Sequence, residues 1–230
     1  MSATDGLRGK RALVTGGNRG IGLEVVRLLG ELGLEVFLGS RDLEAGAAAV
    51  ASLAMPGITP VRIDVADRTS VAETRDTMGA EGVDVLVNNA GIFPRDDTSP
   101  ARIAEAWQVN ALGSWRVTQA FLPPMRDRGW GRIVNVSTEL ATNAHERRGG
   151  GIYPITKVVV NAMTRALAED LEGTGILVNA ISPGWCRSDM GGEEAPRSST
   201  QGAVSIVWGV TLPDDGSSGG FFQDGEPLPW

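Results

Sequence analysis

The sequence predicts an α/β fold: a doubly wound parallel sheet of about seven strands, with helices on both of its faces. Short apolar runs rich in β-branched residues alternate with longer stretches of helical periodicity, and the first apolar run ends in a glycine-rich turn that opens a helix. Alternation of this kind predicts parallel strands connected by helices. The 230 residues contain no long linker and no internal repeat, so we expect one domain over residues 1–230.

Each element follows from its local pattern. Strands are predicted where Val, Ile and Leu dominate a short run, and helices where apolar residues recur every three or four positions. The predicted strands are Arg11–Val14, Glu35–Leu38, Val61–Ile63, Val83–Val87, Arg132–Val136, Ile176–Ile181 and Phe221–Gln223. The predicted helices are Ile21–Leu32, Leu43–Leu53, Ser70–Met78, Ala101–Arg126, Tyr153–Leu171 and Ala203–Val210. We expect the long helix over 101–126 to be disturbed at Pro123-Pro124, because proline lacks a backbone donor.

Composition excludes several classes of function. The apolar content of 42% and the charged content of 21% are ordinary for a soluble globular protein, and the net charge of −7 argues against nucleic acid or an anionic membrane as partner. Cys186 is the only cysteine, so no intramolecular disulfide and no metal site are expected. Without a signal-peptide core or a transmembrane run, the chain is expected to be cytoplasmic.

The turn after the first strand reads Thr15-Gly16-Gly17-Asn18-Arg19-Gly20-Ile21-Gly22. Gly16 allows a sharp turn, Gly20 allows the backbone to approach a pyrophosphate, and Gly22 lets the helix pack on the strand. The helix that follows offers free N–H groups to an anion. The turn therefore predicts a Rossmann-type dinucleotide site, although a plain strand–helix connection would suit the same glycines.

The end of the second strand carries Gly39-Ser40-Arg41, where an NAD site normally carries an acid. Arg41 and Arg19 could bind a 2′-phosphate, so NADP(H) is expected over NAD(H); the alternative is that both arginines are solvated surface residues. Asp64-Val65 follows the third strand. There the carboxylate could accept from an adenine amino group or cap the next turn.

Tyr153, the only tyrosine, stands four residues before Lys157, one of two lysines. This spacing puts both side chains on one face of a helix. A phenol, whose pKa is normally about 10, becomes a usable acid near neutrality if a fixed cation stabilises its phenolate. The pair is therefore a candidate for proton transfer, and a half-buried tyrosine beside a solvated lysine is the alternative.

With these elements in this order, the chain resembles the short-chain dehydrogenase/reductase family over essentially all of its length. The matching elements are the turn at 15–22, Asn88-Asn89-Ala90-Gly91, Asn110, a hydroxyl after the fifth strand, Tyr153-x-x-x-Lys157 and Pro183-Gly184. The segment Pro183-Gly184-Trp185-Cys186-Arg187-Ser188-Asp189-Met190 looks like that of the carbonyl reductase branch, which favours NADPH.

The resemblance implies an NADPH-dependent reductase of a ketone or aldehyde in which Tyr153 donates the proton. Lys157 would lower the pKa of Tyr153 and bind the nicotinamide ribose, while Asn110 would hold a water that links Lys157 to solvent, unless its amide is a satisfied core group. Thr138 replaces the family's serine as the hydroxyl that holds the substrate oxygen. Ser137 is less suitable, because neighbouring strand residues point to opposite faces.

The remaining site residues follow from the same patterns. The expected cofactor-binding residues are Gly16, Asn18, Arg19, Gly20, Ile21, Gly22, Arg41, Asp64, Val65, Asn88, Ala90, Gly91, Tyr153, Lys157, Pro183, Gly184, Trp185 and Ser188. Asn88–Gly91 and Pro183–Gly184 could instead only terminate strands. Glu139, His145 and Trp185 are expected to border the substrate pocket beneath a short loop near 189–202, and Cys186 to line it.

Two other functions remain open: an alcohol or hydroxysteroid dehydrogenase working in the oxidising direction, and an NADP(H)-binding regulator without catalysis. The stretch from Thr138 to Tyr153 leaves no room for the long insertion of some monomeric carbonyl reductases. We therefore expect the helices at 101–126 and 153–171 to pair in a homodimer or homotetramer. The substrate is expected to be a small carbonyl or alcohol.

Overall fold

The computed structural model describes residues 5–95, 97, 99–142 and 151–230, and within them eight strands form one sheet. The strands are β1 (Arg11–Thr15), β2 (Glu35–Ser40), β3 (Ile58–Arg62), β4 (Val85–Asn88), β5 (Gly131–Val136), β6 (Ile176–Ile181), β7 (Phe221–Gln223) and β8 (Glu226–Pro227). Their order is β3-β2-β1-β4-β5-β6-β7-β8, and every neighbouring pair is parallel except β7 with β8. The strand order therefore reverses between β1 and β4, which confirms the doubly wound fold.

Seven α-helices cover the two faces of the sheet in the part of the chain that the structure describes. They are α1 (Gly20–Glu31), α2 (Leu43–Leu53), α3 (Arg68–Thr77), α4 (Pro100–Ala106), α5 (Ser114–Arg128), α6 (Ile152–Asp170) and α7 (Ser199–Val210). Apolar side chains of α1, α2 and α7 fill one core, and those of α3, α5 and α6 fill the other. None of the described helices is long and apolar enough to cross a membrane.

The side chains of β5 alternate between these two cores. Val134 and Val136 pack in the core of α1 and α7, whereas Ile133 packs in the core of α5 and α6. This period of two is the expected geometry of a strand that is covered on both faces. It directs Asn135, and Ser137 just beyond the end of the strand, towards α6.

The predicted bounds of Leu43–Leu53, Ile176–Ile181 and Phe221–Gln223 are confirmed. The predicted single helix over 101–126 is divided into α4, a π-helical segment and α5, and the other elements begin or end a few residues away. The eighth strand was not predicted. It returns from β7 through Asp224 and Gly225, whose φ angles of 53° and 84° are those of a tight hairpin turn.

The predicted disturbance at Pro123-Pro124 is wrong, because α5 continues through both prolines to Arg128. Buried Phe121 and Met125 hold this part of the helix against the sheet, which offsets the missing backbone donors. The irregular turn lies earlier: residues Trp107–Gly113 form a π-helical segment between α4 and α5. Such segments occur frequently at functional sites.

Candidate active site

The predicted site residues gather at the carboxyl edge of the sheet, around the point between β1 and β4 where the strand order reverses. Ligands of doubly wound folds bind at this point. The glycine turn follows β1, the Asn-Asn-Ala-Gly turn follows β4, and Thr138 follows β5. The topology therefore brings together residues that lie far apart in the sequence.

The glycine turn is fixed to the turn after β4 by side-chain hydrogen bonds. The Asn89 amide donates to the carbonyl oxygens of Thr15 at 2.9 Å and Gly16 at 3.0 Å. The Thr15 hydroxyl accepts from the backbone N–H of Asn89 and of Ala90, each at 3.0 Å. A Cβ on Gly22 would lie 2.3 Å from the Gly16 oxygen, so only glycine lets α1 approach this closely.

The N-terminus of α1 is open to an anion. Arg19 occupies its N-cap position and makes no side-chain cap bond. Gly20 has φ of +55°, and the nearest atom to a Cβ built there is Ser188 Cβ at 3.6 Å. By contrast, side chains cap the four helices α2, α3, α4 and α7, through Asp42, Asp67, Ser99 and Ser198, whereas α5 and α6 follow glycines and also lack a side-chain cap. The free N–H groups and the space at Gly20 fit the pyrophosphate of a dinucleotide, with Asn18 and Ile21 in the same turn.

The two arginines predicted to bind a 2′-phosphate differ in their surroundings. Arg41 is exposed at the end of β2, and no described residue forms an ion pair with it. The end of β2 is held next to the glycine turn by a 2.9 Å bond from Gly17 N to Gly39 O. Arg19 instead pairs with Asp189 at 2.8 Å, and both side chains are about three-quarters exposed (74% and 77%).

The residues after β3 have local structural roles. The Asp64 carboxylate accepts from the backbone N–H of Ala66 at 2.9 Å, so it caps the turn as the alternative interpretation has it. Val65 is buried and lies against Gly113 at the end of the π-helical segment. These contacts leave the predicted role of Asp64 towards adenine untested.

Tyr153 and Lys157 lie one turn apart on α6, and both are buried. Lys157 Nζ is 5.9 Å from the centre of the Tyr153 ring and donates to the carbonyl oxygen of Val136 at 2.7 Å. The ring of Phe93 covers Tyr153 at a centroid distance of 4.8 Å. The pair is therefore not a half-buried tyrosine beside a solvated lysine.

Burial decides the protonation of this pair. It raises the pKa of Tyr153 to about 12 and lowers the pKa of Lys157 to about 8. The structure therefore contradicts the expected net lowering of the phenol pKa, because desolvation disfavours the charged form of both groups. At neutral pH the phenol is protonated and the lysine is charged.

Asn110 lies in the π-helical segment, fully buried. Its side-chain oxygen accepts from Ile92 N at 2.8 Å, and its amide donates to Ile92 O at 2.9 Å and to the Thr156 hydroxyl at 3.1 Å. A Cβ on Gly91 would lie 3.4 Å from this oxygen and 3.7 Å from Lys157 Nζ. Asn110 is thus both a satisfied core residue and a neighbour of Lys157.

The two adjacent hydroxyls after β5 have different environments. Ser137 is buried, and its hydroxyl donates to the side-chain oxygen of Asn161 at 2.6 Å. Thr138 is partly exposed, and its hydroxyl accepts from Leu140 N at 3.2 Å. A hydroxyl that accepts one hydrogen bond can still donate its proton. The geometry therefore favours Thr138 over Ser137 as the hydroxyl available to a substrate.

The segment after β6 folds back onto the glycine turn. Pro183 and Gly184 begin it, and the side chain of Arg197 packs on Gly184. The Ser188 hydroxyl accepts from Gly191 N at 3.0 Å. Trp185, predicted to line both the cofactor and the substrate sites, is 52% exposed, and its indole donates to Gly191 O at 2.8 Å.

Of the other residues predicted to lie at the substrate pocket, the structure describes Cys186 and Glu139. Cys186 is buried, and burial raises the pKa of its thiol, which argues against a nucleophile; its place in the pocket lining stays a prediction. Glu139 lies partly buried in the short 3₁₀ turn after Thr138, and His145 lies outside the described residues. No group of three potential metal ligands occurs among the residues that the structure describes.

Sequence reasoning missed Asn161 and Arg197. Asn161 had a signal, since it stands four residues after Lys157 on the same helix face. Arg197 had none: its pairing with Asp224 at 2.7 Å and its packing on Gly184 depend on how the segment after β6 folds.

Comparisons with known proteins agree with this geometry. The family model described as short chain dehydrogenase matches residues 10–198. Carbonyl reductase [NADPH] 1 of Bos taurus and of Homo sapiens are each 34% identical over 272 aligned positions, which cover 95% of this chain and 98% of the relative. A solved short chain dehydrogenase/reductase family protein superposes with a TM-score of 0.84 and 31% identity, covering 94% of this chain and 95% of the other. The NADPH-bound carbonyl reductase from chicken fatty liver gives 0.87 with 26% identity, covering 97% and 95%.

Proposed function

This chain belongs to the short chain dehydrogenase family, and we propose that it reduces a ketone or aldehyde to an alcohol with NADPH, using Tyr153 as the proton donor. Membership rests on the family match over residues 10–198 and on relatives that cover 95% of the chain. The names of those relatives and the NADPH-bound chicken structure support an NADP(H)-dependent oxidoreductase of carbonyl reductase type. The observation that carries the proposal is the buried Tyr153–Lys157 pair beside the end of β5.

The cofactor would lie across the carboxyl edge between β1 and β4. The uncapped N-terminus of α1 would bind its pyrophosphate, and Arg41 with Arg19 would bind the 2′-phosphate. Pro183, Gly184 and Ser188 would border the nicotinamide. When bound, NADPH supplies the hydride for the carbonyl carbon.

Tyr153 would complete the reduction as a general acid. With a pKa of about 12 its phenol is protonated at neutral pH, which is the form that a proton donor needs. The Thr138 hydroxyl would donate a hydrogen bond to the same substrate oxygen and hold it within reach of Tyr153. Negative charge that develops on this oxygen would be stabilised by both donors.

Lys157 would stabilise the phenolate that remains after proton transfer. An ammonium has three donors, and one of them already reaches the Val136 oxygen at 2.7 Å. The other two are available to the nicotinamide ribose. Asn110, beside Lys157 at Gly91, would hold the water through which the proton returns.

The oxidising direction remains a second candidate, because hydride transfer between a carbonyl and an alcohol is reversible and the same tyrosine serves both directions. It requires a phenolate base, and a pKa of about 12 makes that form scarce at neutral pH. Reduction is therefore the direction that the protonation of Tyr153 favours. A regulator without catalysis would have no use for a buried tyrosine–lysine pair.

The decisive experiment measures NADPH consumption over a panel of ketones, aldehydes and quinones with the wild-type protein and Tyr153→Phe. We expect turnover in the wild type and loss of at least about a hundredfold in the variant, because the proton donor is gone. A protein that binds NADPH but consumes none with any member of the panel would establish the regulator. Wild-type turnover in Tyr153→Phe would remove Tyr153 from the mechanism.

We also propose that two copies pair through α4, α5 and α6. The outer faces of α4 and α6 expose apolar side chains: Ile103 is 36% exposed, Ile155 51% and Val158 38%. Apolar residues grouped on neighbouring helices are typical of a contact surface. Light scattering that gives the mass of one chain would disprove this assembly.

A further inference from the structure

Two polar side chains, one within β5 and one directly after it, point into the apolar core beneath α6. Asn135 and Ser137 share a face of the strand with Ile133, which packs among apolar residues of α5 and α6. The Asn135 amide donates to the Thr164 hydroxyl at 2.9 Å, and the Ser137 hydroxyl donates to the side-chain oxygen of Asn161 at 2.6 Å. Both bonds therefore connect this strand to this helix from fully buried positions.

The Ser137–Asn161 bond has proposed catalytic residues beside it on the strand and on the helix. On the strand, Ser137 directly precedes Thr138. On the helix, Asn161 follows Tyr153 and Lys157 at intervals of four residues, so the three side chains occupy successive turns of one face. Asn161 and Ser137 are 3% and 2% exposed, so water does not compete for their bond.

The first half of α6 has little else that holds it to β5. Among the hydrogen bonds of the described residues, its other link to this strand is the one from Lys157 Nζ to Val136 O. Lysine has a long flexible side chain, and the proposed mechanism also uses its ammonium at the ribose. The Ser137–Asn161 bond joins two short side chains, so it is the more rigid connection.

We infer that Ser137 and Asn161 form a positioning pair, whose hydrogen bond fixes the distance between the Thr138 hydroxyl and the Tyr153 phenol. This role rests on the proposed function, because it takes these two hydroxyls as the groups that hold the substrate oxygen. Neither Ser137 nor Asn161 touches the substrate. Their bond sets the position of α6 against the end of the strand.

Loss of this bond leaves one polar group buried without its partner and allows α6 to shift. A displacement of about 1 Å at reacting groups can cost up to about a hundredfold in rate. Binding of NADPH is expected to change little, because the glycine turn and Arg41 lie on other elements, and the long side chain of Lys157 can still reach the ribose after a small shift of α6. The expected signature is therefore a loss in kcat with a nearly constant Kd for NADPH.

Thr164→Val provides a matched control for Ser137→Ala. It removes a buried hydrogen bond between the same strand and the same helix, but nearly one turn farther from Lys157. We expect Ser137→Ala to lower kcat at least about tenfold, with Kd for NADPH within about twofold of wild type. Thr164→Val is expected to keep kcat within about twofold while lowering the melting temperature by a similar amount.

Two further variants separate positioning from general destabilisation. Ser137→Thr keeps the hydroxyl and is expected to recover most of the kcat that Ser137→Ala loses. Asn161→Leu removes the same bond from the helix side, so the double variant with Ser137→Ala should lose no more kcat than the worse single variant. If Ser137→Ala does not fold, the comparison of Asn161→Leu with Thr164→Val tests the same role.

Two outcomes would overturn the positioning pair: equal kcat in Ser137→Ala and Thr164→Val, or additive losses in the double variant. The proposed function is tested separately. Wild-type kcat in Tyr153→Phe would overturn the assignment of the proton donor, whatever Ser137→Ala does. The two failures can therefore be told apart.

Discussion

Replacing Arg41 by alanine is expected to weaken NADPH binding about tenfold and to leave NADH binding unchanged. Arg41 is exposed, and no ion pair or side-chain hydrogen bond joins it to another described residue, so the substitution removes no such contact in the part of the chain that the structure describes. A hydrogen bond between charged groups contributes about 1.5–3 kcal/mol, and exposure to salt brings the value to the low end of this range. About 1.4 kcal/mol corresponds to a tenfold change in Kd.

Asp189→Asn is expected to act in the opposite direction through Arg19. In the structure the Asp189 carboxylate holds the Arg19 guanidinium at 2.8 Å, so a 2′-phosphate would compete with it for the same cation. An ion pair this exposed contributes at most about 1 kcal/mol, so its removal should lower the Kd for NADPH by up to about fivefold. Binding of NADH should again stay constant.

Fluorescence titration with NADPH and NADH at two ionic strengths measures both effects. Arg165→Ala is the control for net charge, since Arg165 is an exposed arginine on α6 whose side chain is 63% exposed. The advantage of NADPH over NADH should shrink in Arg41→Ala and with added salt. Equal loss of affinity for both cofactors, or no loss for either, would refute a phosphate site at Arg41.

The hydroxyl donor, the lysine and the proposed contact between two copies can each be tested separately. Thr138→Ala should lower kcat about a hundredfold because one donor to the substrate oxygen is lost, whereas Thr138→Ser should stay within about threefold of wild type; equal rates in the two variants would exclude Thr138. The kcat/KM for NADPH-dependent reduction should fall above pH 8, because Lys157 has a lowered pKa of about 8 and loses its charge as pH rises through it; a pH–rate profile that stays flat to pH 10 would contradict this role. Val158→Arg should yield monomers by light scattering, and Arg165→Glu, on an already charged part of α6, should not.

The strands, helices and Tyr153–Lys157 pair could be predicted because their signals are local. Apolar periodicity identifies a strand or a helix, and a spacing of four residues places two side chains on one helix face. The π-helical segment at 107–113 has no such signal. It depends on the bonds of Asn110 to Ile92 and Thr156, and these residues meet only after the chain has folded.

The alternation of side chains along a strand distinguishes Ser137 from Thr138 only in part. Alternation predicts that the two hydroxyls point to opposite faces, but it does not say which face belongs to the substrate. The structure shows that the Ser137 hydroxyl donates its hydrogen bond to Asn161 beneath α6, so the Thr138 hydroxyl is the one that we expect to face the substrate. A polar residue four positions after Lys157 was the available signal, and an apolar residue there would have left Ser137 without a partner.

The pKa values of Tyr153 and Lys157 could not be predicted, because they depend on burial that the sequence does not state. A tyrosine next to a lysine suggests a phenol made more acidic, yet burial moves both groups towards their neutral forms, to pKa values of about 12 and about 8. At neutral pH the phenol is still protonated and most of the lysine is still charged. The proposed reduction needs this combination: an acid that keeps its proton until negative charge develops on the substrate oxygen, and a cation beside the phenolate that the transfer leaves.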